Sequence, residues 1–205
     1  MFRGKSSARP AAPRGRAGRA HTLRIIGGTW RGRKLRFPAS AAIRPTPDRV
    51  RETLFNWLGA ATQAAQCLDL FAGSGALGLE ALSRGASHVT FVENDTVAAR
   101  ELRARLAEWH AGDARVERTD ALRYLAGAVR PFDIVFLDPP FAADLLGRAA
   151  RLLEERRWLT DAALIYVECA ARDGLPPLPG SWRPLKAKQA GEVGYHLFAH
   201  TAPGS

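Results

Sequence analysis

The chain reads as an open α/β sheet, mostly parallel, with helices on both faces and a small basic extension in front of it. Three observations predict this. Between residues 67 and 168, short apolar runs of strand length alternate with amphipathic segments of helix length, the pattern of linked βαβ units. The first run, Cys67-Leu68-Asp69-Leu70-Phe71, opens into Ala72-Gly73-Ser74-Gly75-Ala76-Leu77-Gly78, a strand-to-helix turn of closely spaced glycines. The apolar run Phe132 to Leu137 ends on Asp138-Pro139-Pro140-Phe141, which puts a carboxylate and a rigid turn at a strand's carboxyl end, where open α/β sheets hold their ligands.

With 205 residues and 46% hydrophobic content, the chain has room for one well-packed α/β domain and is short for two. Charge divides it unevenly. Residues 1–52 carry fourteen Lys and Arg against Asp48 and Glu52, a balance of +12, while the rest balances at −2. A nearly neutral body behind a strongly basic front predicts a polyanion partner for that front. Cys67 and Cys169 sit at the edges of apolar runs without ligand spacing, so free thiols are expected, with no disulfide and no zinc site. No stretch reaches membrane-span length and the N-terminus lacks a signal-peptide core, so a cytoplasmic protein is expected.

Taken in order, residues 1–22 contain almost no large apolar side chains and predict a disordered basic arm. From Leu23 to Phe37, two β-compatible runs flank Gly27-Gly28, which predicts a hairpin with its turn at the glycines. Its second run holds Arg31, Arg33, Lys34 and Arg36 beside Trp30 and Phe37, a set able to grip phosphates while a ring stacks on a base. Arg44-Pro45-Thr46-Pro47 is a stiff loop. Thr46 or Asp48 should then cap a helix from about Arg49 to Leu58, with Val50, Leu54, Trp57 and Leu58 inward and Arg49 and Arg51 among the basic residues offered to a phosphate chain. The extension is thus residues 23–60, and the main domain residues 61–200.

In the main domain, a helix should leave the glycine turn and stop at Gly85. A strand Val89–Val92 follows, then Glu93-Asn94-Asp95 and a helix reaching Trp109. A weak strand near 115–118 leads to Thr119-Asp120 and a helix Ala121–Ala128. After the Asp138 turn come a helix 144–157, an inner strand Ala162–Glu168, and two antiparallel strands, Trp182–Gln189 and Glu192–His200. Glu168 ends the fifth strand, where it could support the site, and His196 is read as an exposed strand residue, not a base.

The chemistry follows from where the acids fall. The turn lacks the Lys and Ser/Thr of a P-loop, although Gly73-x-Gly75-x-x-Gly78 fits a dinucleotide-binding pattern. Glu93 lies about twenty residues beyond the glycines, where a ribose-binding acid is expected, and Asp120 follows the third strand, placed to accept from an adenine amine. Asp69 sets a negative charge before the turn, which repels a pyrophosphate and attracts an ammonium. S-adenosylmethionine has the matching ribose, adenine and ammonium, and no phosphate. At Asp138, acceptors beside a ring suit a planar base that carries an exocyclic NH2.

Asp69–Gly78, Glu93, Asp120 and Asp138–Phe141, in this order and spacing, are similar to the motifs of class I S-adenosylmethionine-dependent methyltransferases. The front end narrows the resemblance. Leu23-Arg24-Ile25-Ile26-Gly27-Gly28-Thr29-Trp30-Arg31-Gly32-Arg33-Lys34-Leu35 and the segment from Arg44-Pro45-Thr46-Pro47-Asp48 to Leu58 resemble the RsmD family, bacterial 16S rRNA (guanine-N2)-methyltransferases. The resemblance spans about residues 23–200. It implies a Rossmann-like class I methyltransferase fold, with a seven-stranded sheet and an antiparallel C-terminal strand. It implies that Asp69, Phe71, Ala72, Gly73, Ser74, Gly75, Gly78, Glu93, Asn94, Asp120 and Ala121 hold the cofactor, and that Asp138, Pro139, Pro140 and Phe141 hold a flipped guanine, guanine 966 in the reference bacterial numbering. Arg31, Arg33, Lys34, Arg36, Arg44, Thr46, Arg49 and Arg51 are the expected RNA contacts. The expected protein is a monomer acting on 16S rRNA within the 30S subunit or a precursor of it. Two other activities use the same motifs: a DNA adenine-N6 or cytosine-N4 methyltransferase, for which 205 residues leave no target-recognition region, and an inactive RNA-binding module, against which the intact acids argue. A nicotinamide dehydrogenase would leave the Asp138 turn without a task.

Overall fold

The computed structural model describes residues 21–37, 46–140 and 143–201. Residues 1–20 of the expected arm, Arg44 and Phe141 lie outside these residues, and the last two residues expected in the arm, His21 and Thr22, instead open strand β1, paired with Phe37 and Arg36. The extension consists of strands β1 (His21–Arg24) and β2 (Lys34–Phe37) and helix α1 (Asp48–Leu58). The body follows as β3 (Gln66–Asp69), α2 (Ala76–Ser83), β4 (His88–Val92), α3 (Thr96–Glu108), β5 (Ala114–Glu117), α4 (Ala121–Leu125), β6 (Phe132–Leu137), α5 (Ala143–Glu155), β7 (Leu159–Ala170), β8 (Trp182–Ala190) and β9 (Val193–His200). The sheet order is β5-β4-β3-β6-β7-β9-β8, parallel through β7 and antiparallel at β9 and β8. Strand order reverses between β3 and β6, and a crevice opens at such a reversal. The glycine turn leaves β3 and the Asp138 turn leaves β6, so both border that crevice.

Side-chain alternation divides the core in two. Cys67, Ile134, Phe136 and Tyr166 face α1, α2 and α3, whereas Leu68, Val135, Leu137 and Val167 face α4 and α5. The same alternation turns Asp69, Asp138 and Glu168 toward the α1 side. Helix α1 lies over that part of the sheet: Phe55 packs 6.0 Å from Phe136, and Trp57 stacks on Tyr195 at 5.3 Å. Phe55 and Arg51 are buried along with Val50, Leu54 and Leu58, so the inner face of α1 is wider than its apolar spacing predicts.

Several boundaries differ from expectation for local reasons. Gly27-Gly28 is not the hairpin turn; the chain reverses through Trp30–Arg33, where Arg33 N–H donates to the Trp30 carbonyl at 3.0 Å and Gly32 takes φ +85°. The two glycines instead press against the end of α2. Neither Thr46 nor Asp48 caps α1; Pro47 holds the cap position, and both side chains are engaged elsewhere. Helix α4 stops at Leu125, three residues early, because Gly127 N–H closes a tight turn on the Tyr124 carbonyl and the Trp158 indole takes the Leu125 carbonyl at 3.0 Å. Strand β7 begins at Leu159 because a bulge lets Phe132 pair there before the regular register starts at Ile134 and Leu164.

Candidate active site

At the end of β3 the carboxylate of Asp69, 2% exposed, accepts the Gly78 N–H at 3.0 Å. This bond satisfies an orphan donor in the first turn of α2, whose cap position is Gly75 with φ +75° and hence without a capping side chain. Any side chain at Gly75 would sit 2.6 Å from Leu102, so the close turn needs glycine there. Glu93, at the end of β4, reaches the same turn: its carboxylate accepts from Gly73 N–H at 2.6 Å and from Asp95 N–H at 2.6 Å. The predicted ribose acid and the glycine turn are therefore one place. Ser74 and Phe71 are half-buried and Ala72 is buried beside them, while Asn94 is exposed on the loop after Glu93. Asp120 is exposed and caps α4 by accepting Arg123 N–H at 3.0 Å, with Ala121 buried beneath. Acidic acceptors around two positive-φ glycines, without a basic side chain in the turn, fit a ligand with a ribose, an amine and a cation, and reject a phosphate.

Asp138 follows β6, with Pro139 buried and Pro140 exposed. The pairing of Leu137 with Val167 sets Asp138 beside Glu168 on the next strand. Glu168 is 4% exposed and takes a 2.8 Å hydrogen bond from the Tyr166 hydroxyl. Thr46, buried just ahead of α1, donates to Asp138 Oδ2 at 3.3 Å. Of the three acid residues, Asp138 is half-buried while Asp69 and Glu168 are buried. Burial, with Glu168 and Asp69 nearby, pushes the Asp138 carboxyl well above the usual carboxylate range. Burial likewise raises Asp69 to about 7, against the bond from Gly78, and Glu168 to about 7, against the bond from Tyr166.

The expected RNA contacts do not all stay together. Arg31, Arg33, Lys34 and Arg49 are exposed, and Arg36 lies on β2. Arg51 does not: fully buried, its guanidinium meets Asp48 at 2.6 Å, the Arg24 carbonyl at 2.8 Å and Glu80 at 3.4 Å. It cannot reach a phosphate from there. Thr46 is likewise buried, with its hydroxyl donated to Asp138. Trp30 packs on Trp109 at 5.1 Å and Arg33 lies 5.3 Å over the same ring, so Trp30 is no free stacking platform.

Glu80 shows how the extension is attached. Its buried carboxylate accepts Ile26 N–H and Gly27 N–H, each at 2.8 Å, and pairs with Arg84 at 2.7 Å as well as Arg51. The pairing of Arg51 with Glu80 had no sequence signal, since an arginine and a glutamate on two separate helices look like surface charges. The role of Glu168 had one: an acid at a strand end, as at Asp138.

A model of the family described as "Conserved hypothetical protein 95" matches residues 23–199. The Escherichia coli K12 protein "Ribosomal RNA small subunit methyltransferase D" is 53% identical over 182 residues, covering 89% of this chain and 92% of that protein. The Haemophilus influenzae protein of the same name is 47% identical and covers 86% of this chain and 93% of its own length. The solved structure of Escherichia coli yhhF superposes with a TM-score of 0.82 at 52% identity, over 89% of this chain and 99% of that one.

Proposed function

The chain belongs to the Conserved hypothetical protein 95 family, and from that membership we propose that it is an S-adenosylmethionine-dependent rRNA methyltransferase acting on the exocyclic N2 amine of a guanine in 16S rRNA, at guanine 966 of the small subunit. One observation carries the chemistry: Asp138, half-buried as a residue, follows the strand at the strand-order reversal, next to the strand that leads into the Asp69 and Glu93 glycine turn. Relatives named as small-subunit rRNA methyltransferases support the substrate class.

S-adenosylmethionine supplies an electrophilic methyl on a sulfonium. Asp69, Glu93 and the Gly73–Gly78 turn would hold it, and Asp120 would meet its adenine. Guanine N2 is a weak nucleophile because its lone pair is delocalised into the ring. The Asp138 carboxylate and the Pro139 carbonyl accept its two N–H bonds, which turns the lone pair toward the crevice and holds the amine in line for transfer. The base must leave its stack to arrive there, and Phe141 is the ring proposed to receive it. The exposed Arg31, Arg33, Lys34 and Arg49 grip the surrounding phosphates. Arg24 and Arg31 also border a recess of about 340 Å³ between the hairpin and α1.

The test is labelled-methyl transfer to 30S subunits, free 16S rRNA and duplex DNA, followed by mass spectrometry of rRNA fragments. Label at N2 of guanine 966 is expected, with DNA unlabelled. Label in DNA alone, or at another nucleotide, overturns the assignment. Asp138→Ala should reduce transfer by on the order of a hundredfold or more while calorimetric S-adenosylmethionine binding is kept; loss of that binding instead shows that Asp138 serves the cofactor.

A further inference from the structure

Helix α1 starts without a side-chain cap: the Pro47 carbonyl takes the N–H groups of Val50 and Arg51 at 3.0 and 3.1 Å. A threonine so close to a helix start ordinarily caps it. Thr46 instead donates its hydroxyl to Asp138 Oδ2 at 3.3 Å, across 92 positions of chain, and is buried there. The proline that follows restricts Thr46 to extended backbone. Packing of α1 on the sheet fixes its approach. Phe55 lies 6.0 Å from Phe136, on the strand that leads to Asp138, and Trp57 stacks on Tyr195. Among the described residues, Thr46 is the one hydrogen-bond donor to the Asp138 side chain.

From this geometry we propose that Thr46 is a positioning residue for methyl transfer: its hydroxyl holds Oδ2 of Asp138, so that Oδ1 is the oxygen presented to the exocyclic amine. The proposal rests on the function given above. The terminal torsion of an aspartate is broad, so a carboxylate without a fixed partner swings over a wide arc. One bond to a set oxygen narrows that arc. In-line transfer is sensitive to misplacement of ~1 Å, which makes the narrowing matter for rate. The extension thereby gains a second task beside RNA, because the start of its helix orients the catalytic carboxylate.

The donated bond also favours the ionised carboxyl, the form that can accept N–H hydrogens through both oxygens. It works against burial first, and then against Glu168 at the end of β7 and Asp69 at the end of β3, which together hold the Asp138 carboxyl well above the usual range. The other titratable groups at these strand ends are Tyr166, which donates to Glu168 at 2.8 Å, and Tyr195, paired with Glu168 on β9. Among the described residues, no cation figures among the groups acting on Asp138. On α1, Arg51 is engaged with Asp48 and Glu80, while Arg49 and Glu52 are exposed. The Thr46 hydroxyl is thus the group at this corner that opposes protonation. Thr46 acts through Asp138 and does not touch the base.

Single-turnover transfer to 30S subunits, run over subunit concentration and pH, tests this in Thr46→Val and Thr46→Ser. Thr46→Val keeps the shape and loses the donor. Its maximal rate near neutrality should fall about tenfold, with half-saturation by subunits and calorimetric S-adenosylmethionine binding kept. Its rate should rise with pH along a limb displaced to higher pH than the wild type's, since Asp138 stays protonated further up the scale without the donor. Thr46→Ser restores the donor and should restore both rate and profile. A defect confined to half-saturation overturns the proposal and makes Thr46 an RNA contact. A slow Thr46→Val with the wild-type pH profile, or no rescue by Thr46→Ser, overturns it in favour of packing alone. Infrared titration of the RNA-free protein reads the same contact without turnover. The carboxyl signal that disappears in Asp138→Asn should titrate at higher pH in Thr46→Val, and an unmoved titration overturns the proposal. A wild-type chain that leaves 30S subunits unmethylated overturns the function instead, which the infrared result does not touch.

Discussion

Glu168 holds its proton in the folded protein at pH values where an unfolded chain has released it, because burial raises its carboxyl from 4.5 to about 7. The stability this contributes is complete below the unfolded value and is lost as pH rises through the folded one. Asp69 behaves alike, raised from 3.8 to about 7. Glu168→Gln, which imitates the neutral acid, should therefore melt near the wild-type temperature at about pH 5 and above it at about pH 8. Calorimetry at the two pH values checks this, and a variant less stable at the higher pH contradicts it. At this scale Asp138 was legible, because two prolines after a strand-end acid form a motif. Glu168 carried the strand-end signal without the prolines, and a strand-end acid alone looks the same buried or exposed. The register of β6 on β7 and the arrival of Thr46 from 92 residues earlier in the chain tell them apart.

Helix α1 and the hairpin loop are joined to α2 by buried polar groups. Arg51→Met leaves Glu80 with fewer partners in the interior, and loss of a buried ion-pair member typically costs ~3 kcal/mol or more. Denaturant unfolding should register that loss, and proteolysis should show the hairpin loosened while the body resists. Gly28 takes φ +74° and a Cβ there would fall 1.7 Å from the Ser83 carbonyl oxygen. Gly28→Ala should thus destabilise by ~2 kcal/mol or more through strain and displaced contacts, with the same two measurements as readout. The sequence assigned both glycines to a hairpin turn, whereas in the fold they dock on the end of α2. A Gly-Gly pair between β-compatible runs signals a turn and equally a close approach to another element, and only packing separates the two.

Over the whole molecule, charge and chemistry are divided between the front end and the body. Arg31, Arg33, Lys34 and Arg49 stand exposed on the extension, whose helix also delivers Thr46 to Asp138. Replacing Arg31, Lys34 or Arg49 singly by Gln should weaken RNA binding alike for different sequences and reduce the salt slope of log K by about 1 each. Filter binding across a salt series measures it; an unchanged slope removes that residue from the phosphate contacts. Arg51→Gln should leave the slope alone, since its charge is spent inside the protein.

The order of strands and helices, the glycine turn, the acids at the strand ends and the basic front were all determined by the sequence itself, because periodicity, turn chemistry and charge are local properties. The burial of Arg51 and Thr46, the docking of Gly27 and Gly28 on α2, and the meeting of Asp138 with Glu168 were decided by the tertiary structure alone. Each depends on which surfaces come into contact when α1 covers the sheet, and residues distant in the chain carry no local sign of that contact.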